Sequence, residues 1–217
     1  GGFAGGATDD GTRNVAIGYA SMNQGNAGDD NIAIGYGALQ DTTANTNIAI
    51  GSYAMTQHTT GVRNIAIGQA AMYNTDAGST SLDSDDNIFI GYDAGGGTWA
   101  NTKSEFNVAI GNYTMDSALN GANKNVAIGY QALSSPVSGD QNVGVGFESL
   151  TALTTGTGNS SIGYQSGDSI TTSEYNALLG YQAGAALTDG SGQNVAIGYQ
   201  PLYNSTNNTR VIAIGTR

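Results

Sequence analysis

One pentapeptide recurs twelve times in this chain of 217 residues: asparagine, a branched apolar residue, a small residue, a second branched apolar residue and glycine. The motif glycines are Gly18, Gly35, Gly51, Gly68, Gly91, Gly111, Gly129, Gly146, Gly163, Gly180, Gly198 and Gly215. They are 16 to 23 residues apart, and six of the eleven intervals are 17. A nearly constant interval of this length is typical of a solenoid, in which each repeat forms one coil. The sequence therefore predicts an all-β fold, a repetitive β-solenoid (β-roll or β-helix) of about twelve coils of about 17 residues.

Large and small residues alternate within the motif, and this period of two predicts a short strand with two different faces. We expect the larger branched residues, such as Ile17 and Ile34, to point inward, and the asparagine, alanine and glycine to lie on the other face. Four residues after the glycine, a leucine or methionine such as Leu39 or Met55 is expected to fill a core position. The smooth small-residue face is then either solvated or a subunit interface around a threefold axis, and both alternatives stay open here.

Stacked coils place identical residues above one another, in columns that run along the solenoid. Asparagine amides in such a column can hydrogen-bond from layer to layer, as they do in other stacked sheets. We expect these columns to hold the coils in register. Their representative residues are Asn14, Ile17, Gly18, Asn31, Ile34, Gly35, Asn125, Ile128, Gly129, Asn194, Ile197 and Gly198.

Composition argues against several functions. A net charge of −11 with only six lysines and arginines disfavours binding to nucleic acid or to an anionic membrane, and no apolar run approaches the roughly 20 residues that membrane insertion requires. Cysteine is absent, and the single histidine, His58, lies in a threonine-rich turn where we expect it to be exposed, so no nucleophilic triad is predicted. We expect a protein that is not an enzyme and that requires no cofactor.

Two consecutive intervals are long, and the extra residues fall in loops at 74–86 and 95–106. Loops on a rigid scaffold often carry recognition. The second loop holds the only tryptophan, and an exposed ring beside carboxylates and amides suits a sugar. The alternative is a tryptophan that only covers the edge of a coil. The candidate ligand-binding residues are Trp99, Tyr73, Asp83 and Asp85.

The aspartates of the first loop also resemble part of a calcium loop. Asp83, Asp85 and Asp86 are closely spaced, but the glycine turn and the bidentate glutamate of such a loop are missing. Solvated charge is the default interpretation, and a calcium site is the weaker alternative.

The stretches Gly129-Tyr130-Gln131-Ala132-Leu133 and 194–200 (Asn-Val-Ala-Ile-Gly-Tyr-Gln) resemble the repeats of phage tail fibres and related trimeric surface fibres. The Val-Ala-Ile-Gly core is also similar to repeats in the heads of trimeric autotransporter adhesins. The resemblance extends through nearly the whole chain. It implies a homotrimeric filament that is extracellular, on a cell surface or on a virion, and that serves host attachment.

We therefore expect residues 1–217 to form a single repeat domain. No helical or charged capping unit is recognisable at either end, and we expect a segment of a longer fibre. The predicted function is a stiff adhesive fibre with a multivalent surface for a cell-surface glycan or receptor. One alternative is a purely structural filament joined end to end through unpaired strands. A less favoured one is a carbohydrate-degrading tailspike enzyme, since Glu105, Glu148 and Glu174 lie in different repeats.

Overall fold

The structure is a computed structural model that describes residues 4–5, 11–23, 28–58, 60–75, 83–99, 102–136, 138–188 and 192–217. Twelve strands of three residues each occur in these ranges, joined by turns and bends, and no helix is found there. The strands are β1 (Val15–Ile17), β2 (Ile32–Ile34), β3 (Ile48–Ile50), β4 (Ile65–Ile67), β5 (Ile88–Ile90), β6 (Val108–Ile110), β7 (Val126–Ile128), β8 (Val143–Val145), β9 (Ser160–Ile162), β10 (Ala177–Leu179), β11 (Val195–Ile197) and β12 (Ile212–Ile214).

All twelve strands form one parallel sheet whose spatial order is the order along the chain. Each motif residue pairs with its counterpart in the next coil, as Ile48 does with Ile65 and Ile50 with Ile67. The register survives both long intervals, because β4 pairs with β5 and β5 with β6 in the same way. The predicted β-solenoid is confirmed, with about eleven full turns between the twelve strands.

The two strand faces are opposite to the expectation. The central small residue of the motif points into the solenoid, and Ala33, Ala66 and Ala127 are fully buried. The branched residues on either side of it point outward, and Ile17 is 56% exposed. The prediction of an inward Ile17 and Ile34 is therefore wrong. The interior is too narrow for branched residues on this wall, because leucine and methionine side chains from the following turn already fill it.

Seven of the eight leucines and methionines four residues after a motif glycine are buried as predicted, and Leu202 is partly buried. Where the strand contributes a large central residue instead, the position four residues after the motif glycine is glycine. Phe89 and Gly95 occur in the same coil, and a Cβ atom built on Gly95 would lie 2.5 Å from the Phe89 ring. Leu178 and Gly184 are related in the same way, at 2.9 Å. In these two coils the strand residue therefore occupies the volume that a leucine or methionine fills in most other coils.

The asparagine column lies inside and is continuous. The Oδ1 atom of Asn125 accepts the backbone N–H of Asn142 at 2.8 Å, and its Nδ2 atom donates to the Gly139 carbonyl at 2.8 Å. The same acceptor link joins every successive pair from Asn14 to Asn194. At the last coil, where valine replaces asparagine, the N–H of Val211 still donates to Asn194. The predicted hydrogen-bonded column is confirmed, but the asparagines are buried, whereas the sequence placed them on the outward face.

Candidate functional site

The outward face of the sheet, called the outer face below, carries two apolar columns. One consists of the residues three before each motif glycine, and the other of the residues immediately before it. Most are isoleucine or valine, and Ser160 and Ala177 are the exceptions in the first column. Ile110, Ile128 and Leu179 of the second column are exposed. The outer face is therefore a largely β-branched apolar surface that no other strand of the described residues covers.

An aromatic column runs beside the outer face, on the far side of the motif glycines. It has two runs of neighbouring rings whose centroids lie 5.1 to 6.0 Å apart. From Tyr130 onward the rings are nearly parallel, with interplanar angles of 5° to 15°. Every residue of the column except Tyr113 is 37% to 53% exposed, so the column adds to the apolar surface of the outer face. The two runs are Tyr19, Tyr36, Tyr53 and Tyr73, and then Tyr92, Tyr113, Tyr130, Phe147, Tyr164, Tyr181 and Tyr199.

A polar column borders the rings. Gln165 donates to the Glu148 carboxylate at 2.7 Å, Gln182 donates to Gln165 at 2.8 Å, and Gln200 donates to Gln182 at 2.7 Å. These residues stand two after the motif glycine and have left-handed backbone, with φ near +50°. These side-chain hydrogen bonds hold the outer edge of the solenoid in register, as the asparagine column does inside.

A second edge, called the cap corner below, is formed by the residues five and six before each motif glycine. The residue five before the motif glycine has left-handed backbone in every coil, for example Arg63 at φ +59° and Gln193 at φ +58°. At the position six before the motif glycine, a side-chain oxygen from one coil accepts the N–H of the equivalent residue in the preceding coil at six of the steps. Asp140 accepts from Asn123 in this way at 2.7 Å, and Asn123 accepts from Glu105 at 2.7 Å. Short Asp, Asn and Thr side chains therefore cap the open backbone donors of this corner.

Several charged residues of the cap corner form ion pairs. Arg13 bonds the Asp30 carboxylate through both guanidinium branches, and Arg63 bonds Asp86 in the same geometry. The guanidinium of Arg63 lowers the pKa of the Asp86 carboxyl. Lys103 lies 3.8 Å from the Glu105 carboxylate. The pairs are solvent-exposed, so each adds little to stability.

Trp99 is not available as the predicted sugar platform. Only 2% of it is exposed; its Nε1 donates to the Gly95 carbonyl at 3.0 Å, and its ring packs against Phe89 with centroids 5.6 Å apart. The expectation of an exposed tryptophan is therefore wrong. The coil can bury the indole because Gly95 leaves space beside the Phe89 ring.

The other three candidate ligand residues do not gather around Trp99. Tyr73 is exposed and belongs to the aromatic column, 6.0 Å from Tyr53. Asp85 accepts the N–H of Val62 as a cap, and Asp83 lies 3.7 Å from Lys103. Of the two loops that contain these candidates, residues 76–82 and 100–101 are outside the described part of the chain.

His58 is buried, not exposed as predicted, and 2% of it is accessible. Its Nδ1 lies 2.7 Å from the Thr75 hydroxyl, and its Nε2 lies 2.9 Å from the Gly61 carbonyl. The imidazole replaces an apolar core residue and bonds to two neighbouring turns. Nothing in the isolated turn sequence indicated that it points inward.

Several carboxyl groups lie partly buried in the turns that follow the motif glycines. Burial raises the pKa of the Asp116 carboxyl to about 6, and the neighbouring Asp93 carboxylate adds to the rise. Burial likewise raises the pKa values of Asp41, Asp93 and Asp168. The Oδ1 atoms of Asp41 and Asp168 are buried without a hydrogen-bond partner. These carboxyls are sites of pH-dependent stability.

An open groove of about 360 Å³ lies at the cap corner between the last coils. Its walls include Glu174, Tyr175, Gln193 and Arg210, and its floor is Gly192. Gly192 stands where other coils carry a capping side chain. Sequence reasoning missed this groove, although a glycine at a position otherwise occupied by Asp, Asn, Thr, Val or Glu was the available signal.

Within the described ranges, no group of three or more histidine, cysteine or acidic residues is arranged to hold a metal ion. The aspartates considered for calcium are engaged instead with Arg63, Lys103 and backbone N–H groups. No helix that could cross a membrane is found in the same part of the chain.

Comparisons of this chain with protein-family models, curated proteins and solved structures gave no significant match.

Proposed function

We propose that this chain is part of a stiff, self-associating surface fibre, in which three copies pack through their outer faces and present a multivalent adhesive surface. The observation that supports the proposal is the outer face itself. Two columns of branched apolar residues point away from a core that is already complete without them. Extended apolar surfaces of this kind mark sites of protein association.

The size of the outer face fits a stable interface. Eleven steps of about 4.8 Å make the sheet about 53 Å long, and the strands with the aromatic column are about 15 Å across, which gives roughly 800 Å². A specific interface typically buries about 800 Å² on each partner, whereas the largest patch on a monomer is usually about 300–600 Å². The aromatic column extends the apolar surface at the rim of such an interface.

The resemblance to trimeric surface fibres supplies the number of copies. The small-residue face that was a possible subunit interface lies inside the solenoid, so the outer face takes over that role. Three flat sheets can close around a threefold axis with their isoleucine columns inward, and this arrangement leaves no apolar face open. The resemblance also supplies the proposed setting, which is extracellular, on a cell surface or on a virion.

Continuous columns of hydrogen bonds provide the stiffness. Buried asparagines, motif glycines and surface glutamines each connect one coil to the next, and bending would strain all three at once. A rigid rod with repeated surfaces holds many weak contacts in place simultaneously, which raises avidity without a strong single site.

The test is the mass of the chain in solution, measured by light scattering on a sizing column. We expect three times the chain mass of 21.9 kDa. Ile128→Lys places a charge in the middle of the outer face and should give monomers. Gln57→Lys adds the same charge at an exposed turn position and should leave the assembly intact.

Other masses would decide between the alternatives. A monomer at high concentration would overturn self-association. A dimer would replace the threefold arrangement with two sheets packed face to face. Long polymers that Ile128→Lys does not disrupt would favour the purely structural filament joined end to end. Release of oligosaccharides from a glycan substrate would favour the tailspike enzyme.

A further inference from the structure

The groove at Gly192 lies at the one coil whose residue six before the motif glycine has no side chain. In six coil steps the N–H group at the cap corner is bonded by the side-chain oxygen of the next coil, as in Asp29 to Asn45 and Asn123 to Asp140. At the step from Glu174 to Gly192 no side chain is present to do this. The N–H of Glu174 has no hydrogen-bond acceptor among the described residues, and a Cβ atom built on Gly192 would lie 3.0 Å from the Glu174 carbonyl oxygen.

The walls of the groove have a definite chemistry. Arg210 supplies a positive charge, and its Nε donates to the Gln193 Oε1 at 2.8 Å, which leaves the other guanidinium nitrogens to face solvent. The Tyr175 ring, 56% exposed, forms one side. Hydroxyl groups of Thr172, Ser173 and Thr209 line the rest.

We propose that this groove binds a carboxylate-bearing sugar of the uronic acid type. This sugar would be the glycan that the adhesive fibre contacts, and to that extent the proposal depends on the proposed function. One carboxylate oxygen takes the position of the missing cap and accepts the Glu174 N–H. The other accepts from the Arg210 guanidinium. The sugar ring lies against Tyr175, and its hydroxyls bond the threonines and the Gln193 amide.

The volume is appropriate for such a ligand. Small-molecule pockets begin at about 300 Å³, and the groove of about 360 Å³ accommodates one sugar ring and leaves the reducing end free to continue as a chain. Glu174 opposes binding, since its exposed carboxylate also lines the groove. Its removal should therefore strengthen the interaction.

The experiment is calorimetric titration of the full chain with cellobiuronic acid, with cellobiose as the neutral counterpart and acetate as the bare anion. We expect binding of the sugar acid alone, weakened about tenfold or more by Gly192→Asn, which adds the missing oxygen, and about tenfold by Arg210→Gln, which removes the charge. Gly192→Ala, which adds only a Cβ atom, should retain binding. Glu174→Gln should tighten it severalfold.

The control for charge is Lys124→Gln, the same loss of one positive charge at an equivalent corner position outside the groove; it should not change the affinity. Gly192→Asn should also raise the melting temperature, because the new amide caps the Glu174 N–H, and this excludes unfolding as the cause of lost binding. The proposal is overturned if cellobiose or acetate binds as tightly as the acid, if no probe binds, or if Gly192→Asn binds normally. The mass of the same sample separates the two proposals. A trimer that does not bind the sugar acid overturns only the proposed sugar site, and a monomer that binds it overturns only the proposed fibre.

Discussion

Gly35 lies against the carbonyl group of Gly51 in the next coil, so closely that a Cβ atom built on Gly35 would be 2.3 Å from the Gly51 oxygen. Its φ of +140° is also a conformation that residues with a side chain rarely adopt. The same close approach recurs along the whole column of motif glycines up to Gly198. This contact, rather than flexibility, explains why the twelve glycines never vary.

Gly35→Ala should therefore be severely destabilising, by about 3 kcal/mol or more in the free energy of unfolding, because backbone and not a movable side chain opposes the new atom. The control is Gly37→Ala in the same coil, where Ala20 and Ala70 occupy the equivalent left-handed position in other coils. It should cost less than about 1 kcal/mol. Chemical denaturation measures both, and equal losses would show that the glycine column is not the constraint.

The asparagine column gives a second prediction. Asn125→Ala removes the acceptor of the Asn142 N–H and the donor to the Gly139 carbonyl inside the core, so it should cost about 2–4 kcal/mol. Asn123→Ala, two residues earlier on the partly exposed cap corner, removes a bond that water can replace and should cost about 1 kcal/mol. Hydrogen exchange at the Asn142 amide should accelerate in the first variant only; unchanged exchange there would contradict the role of the column.

The coil length, the register, the hydrogen-bonded asparagine column and the leucine and methionine positions could all be predicted from the sequence, because each is a property of the period alone. The choice of inner face could not. A period of two separates Ile17 and Ile34 from Ala33 without stating which set is inside, and both sets are apolar. The usual preference for burying the larger residue fails here, because leucine and methionine side chains from the following turn already fill the interior.

A signal for the correct face was nevertheless present. The large central strand residues Phe89 and Leu178 occur in coils whose core position is Gly95 and Gly184, and such compensation indicates that the two positions share one interior. Trp99 and His58 gave no comparable signal. Each lies in a turn, where sequence patterns do not report direction, and their burial depends on space and hydrogen-bond partners contributed by neighbouring residues.

Stability should decrease with rising pH in the window set by Asp116. Burial raises its pKa from an ordinary value of 3.8 to about 6, so the folded state holds the proton more tightly than the unfolded chain. The resulting stabilisation is complete below about pH 4 and is lost as the pH rises through about 6. Asp116→Asn stays neutral and should be more stable than the parent at pH 7, by on the order of 1–2 kcal/mol after solvent screening is considered.

Denaturation curves collected between pH 4 and pH 8 check this. The Asp116→Asn curve should be flatter than the parent curve across the window. Asp83→Asn, at an exposed carboxylate 3.7 Å from Lys103, is the matched control and should leave the slope as it is. A parent protein whose stability increases steadily between pH 4 and pH 6 would contradict the assignment to Asp116.

Whether Phe89 and Gly95 share one volume can be tested by substitution. Some coils combine a large strand residue with glycine and others an alanine with a methionine, and the first pair can be changed into the second. Phe89→Ala alone should cost about 3–5 kcal/mol, because it leaves a cavity beside Trp99, and Gly95→Met alone should overpack the core. The double variant reproduces the alanine and methionine arrangement of the coils that contain Met55 and Met72, whose backbone φ at this position is near that of Gly95. It should therefore recover much of the loss, with a coupling energy of about 2 kcal/mol or more in a double-mutant cycle. Additive losses would mean that the strand centre and the following turn do not fill the same space.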